Sequence, residues 1–138
     1  MKQMPGSFFD THVLLYLASD DPAKADRAEA LVRDGGTIGV QVLNEIANVA
    51  RRKMRLSWPD TRMFLDMVRG LLDVRPMTVA IHANGLDLSE RYGFSTWDAM
   101  VVAAALDAGC DTLWSEDLHD GLSVGGTLRI RDPFKVAD

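Results

Sequence analysis

Cysteine is almost absent: Cys110 stands alone in 138 residues, between Gly109 and Asp111. No internal disulfide is possible, and the chain suits a reducing compartment, with the cytoplasm as the default expectation. Long apolar runs are also missing. The stretch from Val13 to Ala18 is approached through Asp10 and His12 and is followed by no small-residue cleavage site, so it makes a poor secretory signal. Nothing reaches the length of a membrane span, and no membrane association is expected. Basic charge is scarce as well: the formal net charge is -5, the wrong sign for a protein that holds nucleic acid through a broad basic surface. An anionic substrate would need local help, from the cluster Arg51, Arg52, Lys53 and Arg55 or from a divalent cation gathered by acids. The cluster reads most simply as cations placed on a helix C-terminus. The acidic balance suits a basic protein partner.

What is present describes an ordinary globular chain, 47% hydrophobic and 25% charged, expected to form one domain over 1–138. Short apolar segments at 6–9, 37–40, 112–114 and 127–130 read as strands, and a weaker one at 74–77 contains Pro76, which confines it to an edge. Helical patterns lie between them, at 13–17, 23–33, 41–53, from Trp58 onward, 78–92 and 97–108. The segment 118–126 reads as a loop. Strands without polar alternation, separated by helices, predict an α/β fold: a three-layer α/β/α domain with a mainly parallel sheet covered on both faces. Ligands of such sheets collect beyond the carboxyl ends of the strands, where the strand order reverses.

Four carboxylates are candidates for that place. Asp10 follows the first strand, and Asp117 follows the strand at 112–114. Glu45 lies at the edge of the apolar helical face formed by Val42, Leu43, Ile46, Ala47, Val49 and Ala50, on the same side as Asn48 and Arg52. Asp98 sits in the first turn of a helix that is apolar on nearly every side, three residues after the N-cap candidate Ser95, in capping-box spacing. A charge held at the mouth of a buried helix needs a cation or several donors. Like charges brought together raise one another's pKa unless a divalent cation binds, and oxygen donors without cysteine or clustered histidine select Mg2+ or Mn2+ over zinc. The chemistry such a site supports is phosphodiester hydrolysis. His12, His82 and His119 show no ligand spacing and read as solvent or packing residues. Trp97 and Trp114 flank the acids but lie in apolar elements, which predicts core packing. The stripe Met63, Phe64, Met67, Val68, Leu71 and Leu72 reads as core first and as a partner face second.

Four segments in order, Phe8-Phe9-Asp10-Thr11-His12, Asn44-Glu45, Trp97-Asp98-Ala99 leading into Val101 to Ala105, and Leu113-Trp114-Ser115-Glu116-Asp117, resemble the motif blocks of PIN-domain ribonucleases, most of all the VapC-type toxins of bacterial toxin–antitoxin pairs. The resemblance covers the whole chain. It implies Mg2+-dependent endonucleolytic cleavage of RNA, restraint by a cognate antitoxin, and a homodimer. Carried over residue by residue, it makes Asp10, Glu45, Asp98 and Asp117 the acidic quartet, with Asp10 and Asp98 as the principal metal ligands. Glu45 and Asp117 would complete the charge and position a second metal or the attacking water. Ser115 occupies the Ser/Thr place two residues before the last acid, which favours Asp117, with its neighbour Glu116 as the alternative. The Thr11 hydroxyl is expected to hold Asp10 by a hydrogen bond.

Rival readings fit less well. A phosphatase of the haloacid dehalogenase kind would want an acid where His12 stands, and a receiver domain would want a lysine after the last strand. A catalytically silent PIN-fold protein that only holds RNA or a partner is the alternative from another class; clustered acids oppose it, since they repel RNA unless a metal is present.

Overall fold

The computed structural model describes residues 6–135. Six strands, Ser7–Phe9 (β1), Thr37–Gly39 (β2), Asp73–Arg75 (β3), Thr112–Trp114 (β4), Ser123–Val124 (β5) and Leu128–Arg131 (β6), form one sheet in the order β3-β2-β1-β4-β6-β5. Every neighbouring pair is parallel except β5 and β6. The helices are Thr11–Leu15 (α1), extended by a 3-10 turn at Tyr16–Ala18, then Pro22–Arg33 (α2), Val40–Arg52 (α3), Trp58–Leu71 (α4), Val79–Tyr92 (α5) and Thr96–Asp107 (α6). Their starts follow local chemistry: Asp21, Ser57, Thr78 and Ser95 each cap a helix by accepting a backbone N–H three residues on.

Two adjacent residues divide the core. Side chains alternate across a strand, so Phe8 and Phe9 point to opposite faces of β1. Phe8 joins the cluster made with Val101, Val102 and Leu113, over which α5 and α6 lie, whereas Phe9 joins Val13, Val32, Ile38, Ile46 and Val68 from the layer of α1 to α4. The three layers follow from that pair.

Helix α6 is buried all round, as its pattern predicts, with Ala99, Met100, Val101, Val102, Ala103 and Ala105 all out of solvent. It packs closely on α5 because α5 carries Gly85 at the contact: a Cβ there would meet Met100 Sδ at 2.6 Å. Gly93 ends α5 with φ 78°, a left-handed turn that glycine enters without strain.

Three expectations need correction. The segment read as a loop contains β5, a two-residue strand that exists by pairing with β6. Val40 opens α3 instead of ending β2. The α4 stripe splits: Val68 and Leu72 are buried and Phe64 is partly so, but Met67 and Leu71 are exposed and Met63 is 68% exposed. The weak segment expected at an edge is there, as β3. Among the described residues, no helix is long and apolar enough to cross a membrane.

Candidate active site

From β1 the chain steps outward through β2 to β3, and from β4 it steps the other way to β6 and β5, so the order reverses between β1 and β4. Asp10 leaves the carboxyl end of β1 and Ser115 leaves that of β4. The backbone joins them first: Asp10 N–H donates to the Trp114 carbonyl at 3.0 Å. Ser115 Oγ then donates to Asp10 Oδ2 at 2.8 Å and accepts from Leu118 N–H at 3.3 Å. Asp10 Oδ1 accepts from Thr11 N–H at 2.8 Å.

Asp10 is buried, and burial pushes its carboxyl above the ordinary value. The bonds from Ser115 and Thr11 pull it partly back, and the charges of Glu45 and Asp117 push it up again. Those three acids therefore share one electrostatic neighbourhood, and among the described residues no salt bridge reaches Asp10. Asp98 stands apart from that set, on the first turn of α6, with its backbone N–H capped by Ser95 Oγ at 3.2 Å. The adjacent Trp97 carbonyl accepts from Gln41 Nε2 of α3 at 3.5 Å, which ties the start of α6 to the helix that bears Glu45. Asp117 Oδ2 is 2.8 Å from His12 Nδ1, both side chains about half exposed. Glu116 is engaged elsewhere, accepting from Tyr16 Oη at 2.7 Å and from Lys24 Nζ at 2.8 Å.

Residues 7–119 match the PIN domain family. The chain belongs to that family. Solved structures share its PIN fold at low identity. A toxin–antitoxin complex from Klebsiella pneumoniae matches at 18% identity and TM-score 0.71, over 94% of this chain and 99% of that one. The sarcin–ricin-loop-cleaving toxin VapC20 of Mycobacterium tuberculosis matches at 16% identity and TM-score 0.62, over 80% and 89%. VapBC2 of Rickettsia felis, bound to a DNA fragment from its promoter, matches at 18% identity and TM-score 0.60, over 80% and 87%. No curated protein matches in sequence.

A PIN-domain site of carboxylates calls for a divalent cation, and the donor set fits one in kind: the acids offer hard oxygen only, and among the described residues none of the salt bridges involves Asp10. Among the described residues, no three His, Cys, Asp or Glu side chains stand close enough to form a ready-made metal cage.

Several details depart from expectation. Thr11 holds Asp10 through its backbone N–H; its hydroxyl is buried without a hydrogen-bond partner. Asp98 is half-buried, because the first turn of α6 projects past the core that covers the rest of the helix, so the expected need for several donors is relaxed. Trp97, expected in the core, is 67% exposed for the same reason, whereas Trp114 does pack inside and donates from Nε1 to Ser7 Oγ at 3.1 Å. His12, read as a solvent or packing residue, is exposed as that reading has it and in addition lies beside Asp117. Lys24 and Tyr16, the partners of Glu116, were not anticipated, since the only clue would have been a contact across some ninety to a hundred residues. The basic cluster behaves as a helix end: Arg51 donates to the Leu56 carbonyl at 2.6 Å and lies over the Trp58 ring.

Proposed function

We propose that this PIN-domain chain is a metal-dependent endoribonuclease and the toxin of a toxin–antitoxin pair, acting in the cytoplasm. The observation that carries the reading is Asp10, an acid at the switch point of the sheet, oriented by two hydrogen bonds, raised in pKa by burial and further by two neighbouring acids, and without a salt-bridge partner among the described residues. Such an arrangement is costly in an empty site and is relieved by a bound cation.

Asp10 and Asp98 are the principal ligands in this reading, with Glu45 and Asp117 completing the charge. When bound, Mg2+ or Mn2+ would supply the Lewis-acid charge for phosphodiester hydrolysis. Ser115 and Thr11 N–H fix the Asp10 carboxylate so that its oxygens need no reorganisation when the substrate arrives. Asp117 is preferred to Glu116 as the fourth acid because its charge acts on Asp10, whereas Glu116 is held by Lys24 and Tyr16. Support for an antitoxin partner comes from the toxin–antitoxin assemblies among the structural relatives. For the homodimer that the resemblance implies, Met63, Met67 and Leu71 offer an exposed apolar strip.

The test is cleavage of a total RNA pool by purified protein with Mg2+ or EDTA, beside folded Asp10→Asn and Asp98→Asn variants. Discrete fragments that require the metal and vanish in both variants are the expected result. Absence of metal-dependent cleavage over the whole pool would favour the silent binding protein.

A further inference from the structure

A groove of about 730 Å³ opens beside Glu45, between α3 on one wall and α5 and the start of α6 on the other. That volume lies within the usual range of small-molecule sites, about 300–1,000 Å³. Its walls are unusual in composition. Gln41, Asn44, Glu45 and Asn48 line it from α3 at spacings of three, four and seven residues, which sets three amides and one candidate catalytic acid on a single helical stripe. Facing them are His82 of α5 and the indole of Trp97, with Val40, Met77 and Met100 adding apolar surface between. Neither lysine nor arginine lines the groove.

Each of these features excludes something. Without cationic side chains the groove is not built to hold phosphates directly. Asn44 and Asn48 make no side-chain hydrogen bond among the described residues, and Gln41 makes only the long one to the Trp97 carbonyl, so their donors and acceptors are free to face a ligand. Paired donors and acceptors on one planar group match the edges of nucleobases. Trp97 leaves a large flat surface in water at the start of α6, whose middle is buried, one residue from Asp98. A ligand that offers both a flat apolar face and a polar edge satisfies both walls.

We propose that Trp97 is the stacking platform for an unpaired base of the RNA next to the scissile phosphodiester, and that Gln41, Asn44 and Asn48 read that base's edge. The inference rests on the nuclease reading above and adds to it how a sequence is chosen. Stacking on an exposed aromatic tolerates any base, so Trp97 supplies affinity while the amide stripe supplies preference.

The test uses the Asp10→Asn protein with Mg2+, in which cutting is expected to be lost while the groove is unchanged. Its probes are a randomised single-stranded RNA of about ten nucleotides, a length within the usual range for single-strand grooves, and an abasic ribose-phosphate chain of equal length. Fluorescence anisotropy should show the base-bearing chain bound about tenfold more tightly than the abasic one. Adding Trp97→Ala should remove that preference and leave abasic binding unchanged, while Trp97→Phe should keep part of it. In the otherwise wild-type protein, Asn48→Ala should broaden the bases found at the cut positions in the RNA pool. Retention of the base preference by Trp97→Ala would overturn the proposal, as would failure of the RNA to bind while wild-type protein still cleaves. A Trp97→Ala protein that changes its oligomeric state with RNA binding untouched would make the groove a protein contact, again overturning it. Absence of wild-type cleavage marks a failure of the nuclease reading itself and is told apart by that control.

Discussion

Asp10 and Glu116 leave the same end of the sheet, one residue beyond β1 and two beyond β4, and both lose water there. Burial pushes each carboxyl upward. For Glu116 the push is outweighed by Lys24 and Tyr16, which donate to its two oxygens and hold it below the ordinary carboxylate range. For Asp10 the bonds from Ser115 and Thr11 fall short, two neighbouring acids add to the burden, and the group stays above that range. An acid that carries its own cation clasps one part of the fold to another. An acid denied one is stabilised only from outside, which is where a site differs from a strut.

The sharpest way to break this contrast is Asp10→Asn. Cleavage of RNA should fall by more than about 100-fold, while thermal unfolding should show a higher Tm at neutral pH, because the variant removes a charge that folding disfavours. A lower Tm would mean that the carboxylate is well compensated in the free protein. Ser115→Ala comes next in size. It strips a donor from Asp10 and the acceptor of Leu118 N–H, both buried, so a stability loss of about 1–3 kcal/mol in denaturant melts is expected, with cleavage reduced about 10–100-fold.

Glu116→Gln should leave cleavage within about threefold of wild type and alter the pH profile of stability instead. A carboxyl with a lowered folded pKa stabilises above its ordinary value and loses that contribution as pH falls, so variant and wild type should differ at pH 7 and converge in acid. Asp10 has the opposite sign: its cost is present at neutral pH and disappears as pH falls through its raised pKa, so Asp10→Asn should also lose its advantage in acid. Melting curves between pH 7 and 3 check both. The smallest effect belongs to Trp97→Ala, whose exposed indole should change stability by no more than about 0.5 kcal/mol.

Much of this was readable along the chain because it depends on neighbours in sequence. Apolar segments between helical patterns predicted the layers and put Asp10 at a strand end, and the motif order marked Ser115 by its place before the last acid, without showing that its hydroxyl reaches Asp10. Trp97 was misjudged because helical periodicity tells which residues are apolar but not where the core that covers them stops. The Thr11 hydroxyl was misassigned because its own backbone N–H, already aimed at Asp10 by the cap of α1, does that work. His12 with Asp117 and Lys24 with Glu116 join distant parts of the chain, and no local pattern encodes such a pair. β5 is only two residues long, too short for any period, and owes its form to β6.

Both borders of the sheet are brief. β3 has three residues, with exposed Asp73 and Arg75, and is followed by Pro76; β5 has two. Neither border offers a ladder of free backbone groups long enough for another strand to extend. Backbone pairing accepts almost any sequence, so borders this short leave the choice of an associate to side chains. Recognition of that kind can be rewritten by a few surface substitutions without changing the framework beneath.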